Sequence, residues 1–220
     1  MERREFLGGA TAAAVAWGLT WPAGALAQGS ADPAFAALVD RLFYDNLLLT
    51  PGNATSLGLD SGVRAALRSR LGDNSEAGRE AEIAFDQRAL AQIRGFDPAA
   101  LSAAGQRNRD VIAYMFEQRL AGAPFGIESV QQPYLINQQQ GKYFEIPDFL
   151  DSQHPVETTA DAEAYLARLH AFGFVLDEET AEQRRRAARG LAAPGWSLDL
   201  ALGQIAKMRS AVPEASSLVR

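Results

Sequence analysis

Apolar residues recur every three or four positions along most of this chain, which is the spacing of helices that bury one face. The first such segment follows Asp32 and Pro33, which provide an N-cap and a first helical residue. Its apolar stripe consists of Phe35, Leu38, Val39, Leu42 and Phe43. Thr50-Pro51-Gly52 ends the pattern. We therefore expect the first helix to run from the Asp-Pro pair to this turn.

The same spacing predicts further helices over much of the remaining chain. They are a short helix at residues 63–67, one from the Ser75 cap to about residue 94, a long one after Asp97-Pro98, one that begins near the capping box Thr158-Thr159-Ala160-Asp161, a charged one capped by Asp177 and ending at Gly190, and a last one after Pro194-Gly195-Trp196-Ser197. The sequence thus predicts a mainly α fold.

The helical spacing is interrupted at about residues 122–155, which contain four prolines, three glycines and a cluster of glutamines. This excursion is either a long ordered loop or a set of short strands, and long loops inside domains are often functional. Its hydrogen-bonding groups stand beside apolar residues, a mixture that suits a peptide-binding groove. The candidate peptide-binding residues are Tyr134, Asn137, Gln138 and Tyr143.

The amino terminus has the features of an export signal. Arg3-Arg4-x-Phe6-Leu7 precedes an uncharged run to Trp21 that is rich in alanine and glycine, and Ala25-Leu26-Ala27 forms an A-x-A cleavage motif before Gln28. The weakly hydrophobic run favours the twin-arginine route, whereas the alternative is a fortuitous arginine pair in an ordinary secretory signal. We expect residues 1–27 to be the signal and residues 28–220 to be one helical domain in the periplasm or outside the cell.

Composition and charge argue against several functions. The net charge is -6 and no basic stripe with interleaved aromatic residues occurs, so nucleic acid is not an expected partner. The chain has no cysteine, which leaves neither disulfides nor thiolate metal sites. After residue 27 no run approaches the roughly 20 apolar residues of a membrane helix, so we expect no membrane contact once the signal is removed.

The sequence offers little for a metal or catalytic site. His154 and His170 are its only histidines, and it lacks H-E-x-x-H, in which two histidines one turn apart bind zinc. We expect His154, in a turn before proline, to be solvated and His170, beside an apolar stripe, to be structural. The arginines at 184–186 form either a solvated helix face or an anion site. We expect no catalytic residue and no cofactor in this chain.

Four segments together resemble a known family. They are Pro51-x-x-Ala54-Thr55-x-Leu57-Gly58, the stretch from Gly141 to Ile146-Pro147-x-Phe149-Leu150, Thr158-Thr159-x-Asp161-Ala162-Glu163-x-Tyr165-Leu166-x-Arg168-Leu169, and Arg189-Gly190 with Pro194-x-Trp196. Their order and spacing are similar to the amino-terminal part of the bacterial domain-of-unknown-function family 885. The resemblance covers most of the chain after the signal.

Members of that family look like long helical zinc peptidases with an H-E-x-x-P-G-H motif in the carboxyl-terminal half. The resemblance therefore implies that this chain is part of a larger helical metallopeptidase-like fold and that zinc belongs to the full-length members. The resemblance assigns no catalytic residue to this chain, because no position in this sequence matches the metal motif. The implied partners are short peptides or a missing carboxyl-terminal half.

Two functional hypotheses follow. The chain is either an incomplete zinc-peptidase-like protein that is inactive alone, or a free-standing periplasmic module that binds a peptide or protein partner. Residues 213–220 resemble the start of a further helix, which favours the first hypothesis; a short apolar tail packed on the last helix is the alternative. If part of the fold is missing, the apolar residues at the carboxyl end should lie uncovered. These are Leu198, Leu202, Ile205, Met208 and Leu218.

Overall fold

The computed structural model describes residues 29–127, 129–210, 212–216 and 218, and this part of the chain is all-α, as the apolar spacing predicted. Its seven α-helices are α1 (Asp32–Leu49), α2 (Pro51–Ser56), α3 (Glu76–Arg94), α4 (Ala103–Leu120), α5 (Lys142–Ser152), α6 (Thr159–Ala188) and α7 (Gly195–Ser210). Within the same ranges, 3₁₀ turns occur at Gly62–Ser69, Pro98–Ala100, Ala123–Phe125 and Pro213–Ala215. The predicted signal and its cleavage site lie outside the described residues.

The main core lies between α1, α3 and α4. Its buried residues are Phe35, Leu38 and Leu42 of α1, Phe85, Ala89 and Ile93 of α3, Leu101, and Ala113 and Phe116 of α4. Spacings of three and four positions place these side chains on one face of each helix. Two edge-to-face pairs, Phe35 with Phe96 and Phe85 with Phe116, have ring centroids 5.2 and 6.3 Å apart. The apolar stripes of the first, third and fourth helices therefore meet in one core.

The start of α1 differs from the predicted cap. α1 begins at Asp32 itself, with Ala31 before it. The Asp32 carboxylate accepts hydrogen bonds from the backbone N–H groups of Gly29 (3.1 Å) and Ser102 (3.0 Å). Asp32 therefore joins the first turn of α1 to the start of α4 instead of capping its own helix.

A second layer forms around α6, the longest helix. The 3₁₀ turn Gly62–Ser69 packs against α2 and α6, while α5 packs along α6. The sequence predicted a separate helix capped by Asp177, and this prediction is wrong, because α6 continues without a break from Thr159 to Ala188. Buried residues follow one another at helical spacing on both sides of Asp177, so packing holds the helix together there.

The excursion at 122–155 is irregular only in its first part. No strand occurs in its described residues, and one isolated antiparallel bridge joins Asn137 to Gln140. The second part forms α5, which contains Pro147 in its interior. Proline usually ends or kinks a helix because it lacks an N–H donor, and for that reason the sequence analysis did not predict this helix. Ile146 and Leu150 of α5 pack on Val175 of α6, which stabilises the helix despite the proline.

Candidate functional site

Arg168 of α6 is the centre of a buried polar network. Its side chain is fully buried, and its guanidinium donates to groups from several elements. Nε donates to the carbonyl of Arg70 (2.9 Å), and Nη2 donates to the hydroxyl of Thr55 (2.7 Å) and the carbonyl of Leu67 (3.0 Å). Nη1 lies 2.7 Å from Nδ1 of His154. One cation thus joins α2, the turn Gly62–Ser69, α6 and the chain after α5.

His154 is buried, so the expectation that it is solvated is wrong. Its Nε2 lies 3.1 Å from the carbonyl oxygen of Asp161, which can only accept, so Nε2 carries the proton. Nδ1 is then the acceptor for Arg168, and the imidazole is neutral. Burial, together with the charge of Arg168, lowers the pKa of His154. Burial also lowers the pKa of Arg168 to about 10, which leaves its guanidinium charged at neutral pH.

Two carboxylates complete the network. Asp161 accepts hydrogen bonds from the backbone N–H (2.9 Å) and the hydroxyl of Thr158 in the capping box that begins α6. Arg68 bridges the carboxylates of Asp161 and Asp60, and Asp60 also accepts from the hydroxyl of Thr55 (2.7 Å). The hydrogen bonds from Thr158, with those from Arg68, lower the pKa of Asp161 to about 2.

The family motifs meet at this network. Thr55 and Arg168 come from two of the segments, and Phe149 of a third lies with its ring centroid 4.9 Å from Cζ of Arg168. Segments far apart in sequence therefore share one cluster, which we call the Arg168 brace. Its groups satisfy one another, so we assign the brace to holding the segments of the second layer together and not to chemistry.

A second cluster of charges lines a cavity of about 530 Å³ between α3, α4 and the end of α6, which we call the charged cavity. Its ionisable lining residues are Glu76, Arg79, Glu80, Glu82 and Asp86 of α3, Arg119 of α4, Glu182, Arg185 and Arg186 of α6, and Arg189 directly after α6. Apolar groups, among them Ile83 and Ile127, cover the rest of the lining. A concave mixture of this kind is typical of sites for small ligands.

Glu182 organises the side of the charged cavity formed by α6. It accepts from Arg79 across the cavity (2.7 Å) and from Arg185 and Arg186 on its own helix (2.8 Å each). Although burial acts to raise the pKa of Glu182, hydrogen bonds from Arg186 and Arg185 lower it. Arg186 is buried, so the three arginines at 184–186 do not all lie on a solvated helix face.

Asp86 is a buried carboxylate of the charged cavity with only one of its oxygens paired. It is 5% exposed, and its Oδ2 lies 2.9 Å from Nε of Arg119. Its Oδ1 is buried and has no hydrogen-bond partner. Burial raises the pKa of Asp86 against the opposing effect of Arg119. Asp86 was not among the residues predicted from the sequence, although its spacing from the buried Ala89 and Ile93 places a carboxyl on the core side of α3.

Three of the four candidate peptide-binding residues come together, but they bond within the chain. The hydroxyl of Tyr143 lies 2.9 Å from the carbonyl of Asn137 and 2.6 Å from Oε1 of Gln204 in α7. The carbonyl of Gln138 accepts from Nε2 of Gln204 (3.2 Å), and its side chain accepts from the hydroxyl of Ser197. These contacts fasten the irregular segment to α7.

Tyr134 is the fourth candidate and lies apart from the others. It lines a separate cavity of about 240 Å³ together with Gln140, Lys142 and Glu179. The structure thus leaves Tyr134 beside open space, while the polar groups of Asn137, Gln138 and Tyr143 have partners.

The described residues contain no group of three histidine, aspartate or glutamate side chains placed to hold a metal ion. Both ring nitrogens of His154 are engaged, one by Arg168 and one by Asp161. His170 is exposed and its ring centroid lies 5.5 Å from that of Phe174. Zinc, which the resemblance implies for longer relatives, therefore does not fit the histidines present here.

The described part of the chain is thus an all-α protein with a buried polar brace and a charged cavity, and none of its helices has the length and apolar character required to cross a bilayer. The profile of the family described as "bacterial protein of unknown function (DUF885)" matches residues 51–220, so this chain belongs to the DUF885 family. The matched region begins with α2 and includes the brace and the cavity. No curated protein and no solved structure matches the chain.

Proposed function

We propose that this chain is the helical wall of a larger exported protein that resembles a zinc peptidase, and that it does not hydrolyse peptides alone. The first support for the proposal is membership of the DUF885 family, since the resemblance to zinc peptidases was inferred for the members of that family. In this proposal the metal ligands come from residues outside this sequence, and the chain contributes the surface on which the remaining part packs.

The exposed apolar side chains of α7 are the observation that carries the proposal. Among the described residues, α7 buries only Ser197 and Ala201. Several of its large apolar side chains are mainly exposed, namely Trp196 (64%), Leu200 (54%), Leu202 (62%) and Met208 (45%). Several large apolar side chains that face water on one helix are a feature of an interface or an aggregation hazard. We therefore take α7 as the side of the wall that another part of the protein covers.

The expectation of uncovered residues at the carboxyl end holds for some positions and not for others. Leu202 and Met208 are exposed, whereas Leu198, Ile205 and Leu218 are half-buried. Leu218 packs beside Tyr165, whose hydroxyl donates to the Leu218 carbonyl (3.0 Å). The end of the described chain therefore contacts α6, and the open apolar surface is that of α7.

A double substitution on α7 tests the proposal. The wild-type protein should self-associate with rising concentration and bind a hydrophobic dye, because removing exposed apolar side chains from water is favourable. Leu202→Glu combined with Met208→Glu should give a monomer with weaker dye fluorescence, since burying two charges is unfavourable. Sedimentation and dye titration measure both effects. Val63→Glu is the matched control, because Val63 is 95% exposed in the turn Gly62–Ser69, away from α7.

A wild-type protein that stays monomeric, unfolds sharply and does not bind the dye would contradict this proposal. That result would favour the second candidate, a free-standing periplasmic module that binds a peptide or protein partner. The specific observation behind this alternative is Tyr134, which lines the smaller cavity beside the irregular segment.

A further inference from the structure

The carboxylates and the arginines that line the charged cavity lie mainly on different walls. The α3 wall contributes four carboxylates and one arginine to the lining, whereas α6 and the residue after it contribute three arginines and one carboxylate. Arg79 and Glu182 are the exceptions on each wall, and they pair with each other across the cavity at 2.7 Å. The remaining groups leave the α3 side acidic and the α6 side basic. A ligand with opposite charges at its two ends complements such a cavity.

Asp86 supplies the acceptor on the acidic wall. A buried oxygen without a partner costs free energy, and a donor from a ligand would remove that cost. Oδ1 of Asp86 is such an oxygen, in a residue that lines the cavity. An ammonium group is the matching donor, because it brings both N–H groups and a positive charge.

Arg185 supplies a donor on the basic wall. Its side chain is 47% exposed, so a ligand can reach it. Its partner Glu182 also accepts from Arg79 and Arg186. Because this carboxylate is shared, the Arg185 guanidinium can turn toward a second carboxylate without leaving Glu182 uncompensated. Arg189 stands beside it in the lining.

We propose that the charged cavity binds a small zwitterion of dipeptide size, with the ligand's ammonium on Asp86 and its carboxylate on Arg185. Ile83 and Ile127 contact the apolar part between the two charged ends. The volume of about 530 Å³ lies in the range of small-ligand sites. This binding is independent of whether α7 is covered by another part of the protein.

Calorimetric titration of the purified protein with L-alanyl-L-leucine tests the proposal. Two blocked forms of the dipeptide, one N-acetylated and one with a carboxyl-terminal amide, each lack one charge. The free dipeptide should bind about tenfold more tightly than either blocked form, because each block removes one charge-assisted contact. Equal affinity for all three forms, or no binding of any of them, would overturn the proposal.

Two substitutions assign the ends of the ligand. Asp86→Asn should weaken the free dipeptide about tenfold and leave the N-acetylated form unchanged, since that form has no ammonium to lose. Arg185→Gln should weaken the free dipeptide and leave the amide form unchanged. Glu117→Gln is the control, because this carboxylate pairs with Arg94 on the surface outside the cavity and its loss should change no affinity.

The fold of each variant is checked by thermal unfolding. If Asp86→Asn does not fold, the Arg185→Gln variant decides with the free dipeptide and its amide form, because Arg185 is partly exposed and its replacement should not disturb folding. Unchanged affinity for the free dipeptide in a folded variant would contradict the assignment of that end. Equally tight binding of ethylammonium or acetate alone would identify a simple ion site and would also overturn the proposal.

Discussion

Arg168 remains charged in the interior because every side of its guanidinium meets an acceptor. A buried cation without partners would be very unfavourable, and replacing one member of such a network usually costs several kcal/mol. Here three backbone carbonyls, a hydroxyl and an imidazole nitrogen accept its hydrogen bonds, and an aromatic ring covers one face. These acceptors come from three separate segments, so one side chain of α6 fixes how those segments lie.

His154 leads to a pH-dependent prediction. Its pKa is lowered in the folded protein, while the unfolded chain has the ordinary value of 6.5. Below pH 6.5 the unfolded state therefore binds a proton that the native state does not, and stability falls as the pH falls. The slope from this one group is at most about 1.4 kcal/mol per pH unit. Above pH 6.5 the contribution is complete and constant.

Urea unfolding at about pH 7.5 and about pH 5.5 measures this effect. The difference in unfolding free energy between the wild type and His154→Gln should be smaller at the lower pH. Asp60 and Asp161 face the same cluster, but both have lowered pKa values and titrate below this window. His170→Gln is the control histidine substitution, because His170 is exposed and lies outside the Arg168 brace. A difference that does not vary with pH would refute the neutral buried imidazole.

At the scale of elements, α6 shows what hydropathy can and cannot predict. The apolar spacing of its first half and the capping box were visible in the sequence. Its buried positions form a regular stripe, namely Asp161, Ala164, Arg168, Val175, Glu179, Glu182 and Arg186. Most of these residues are charged, and charged residues are normally assigned to solvent. The second half was therefore interpreted as a separate, solvated helix, because its buried face carries pairs of charges instead of apolar groups.

The capping box at the start of α6 gives a prediction at this scale. Thr158→Ala should lower the unfolding free energy by about 1 kcal/mol, because the hydroxyl accepts from the backbone N–H of Asp161 and donates to its carboxylate. Thermal or urea unfolding measures the loss. Thr159→Ala is the control one position later, where the exposed residue is already helical and its replacement should have little effect. Equal losses in the two variants would contradict a specific role of the cap.

At the scale of the whole molecule, the sequence predicts export. The double variant Arg3→Lys and Arg4→Lys should keep the precursor in the cytoplasm, because the twin-arginine route requires the arginine pair and not its charge alone. Fractionation and immunoblotting of the two compartments measure the distribution. Glu5→Gln, which keeps the pair, should be exported and cleaved normally. Normal periplasmic accumulation of the double variant would exclude this route, though not the periplasmic location.

The all-α class of the fold could be predicted from the sequence, but the arrangement of its helices in two layers could not. Helical spacing gives the type of most elements, and α1, α3 and α4 bury the stripes that define them. The charged cavity depends on contacts such as Arg79 with Glu182, which are 103 positions apart. Nothing local in either segment indicates its partner. The exposure of the apolar side chains of α7 could likewise not be predicted, because it depends on which other elements pack against this helix.

The sequence separations within the Arg168 brace have a consequence for the order of folding. The acceptors of Arg168 in α2, in the turn Gly62–Ser69 and at Arg70 precede it by 98 to 117 positions. During synthesis, the buried acceptors of these segments therefore have no donor until most of the chain, including Arg168, has been made. Contacts between distant segments carry a large loop-closure entropy and form late. We therefore expect α2 and the turn Gly62–Ser69 to reach their native contacts only after α6 has been synthesised.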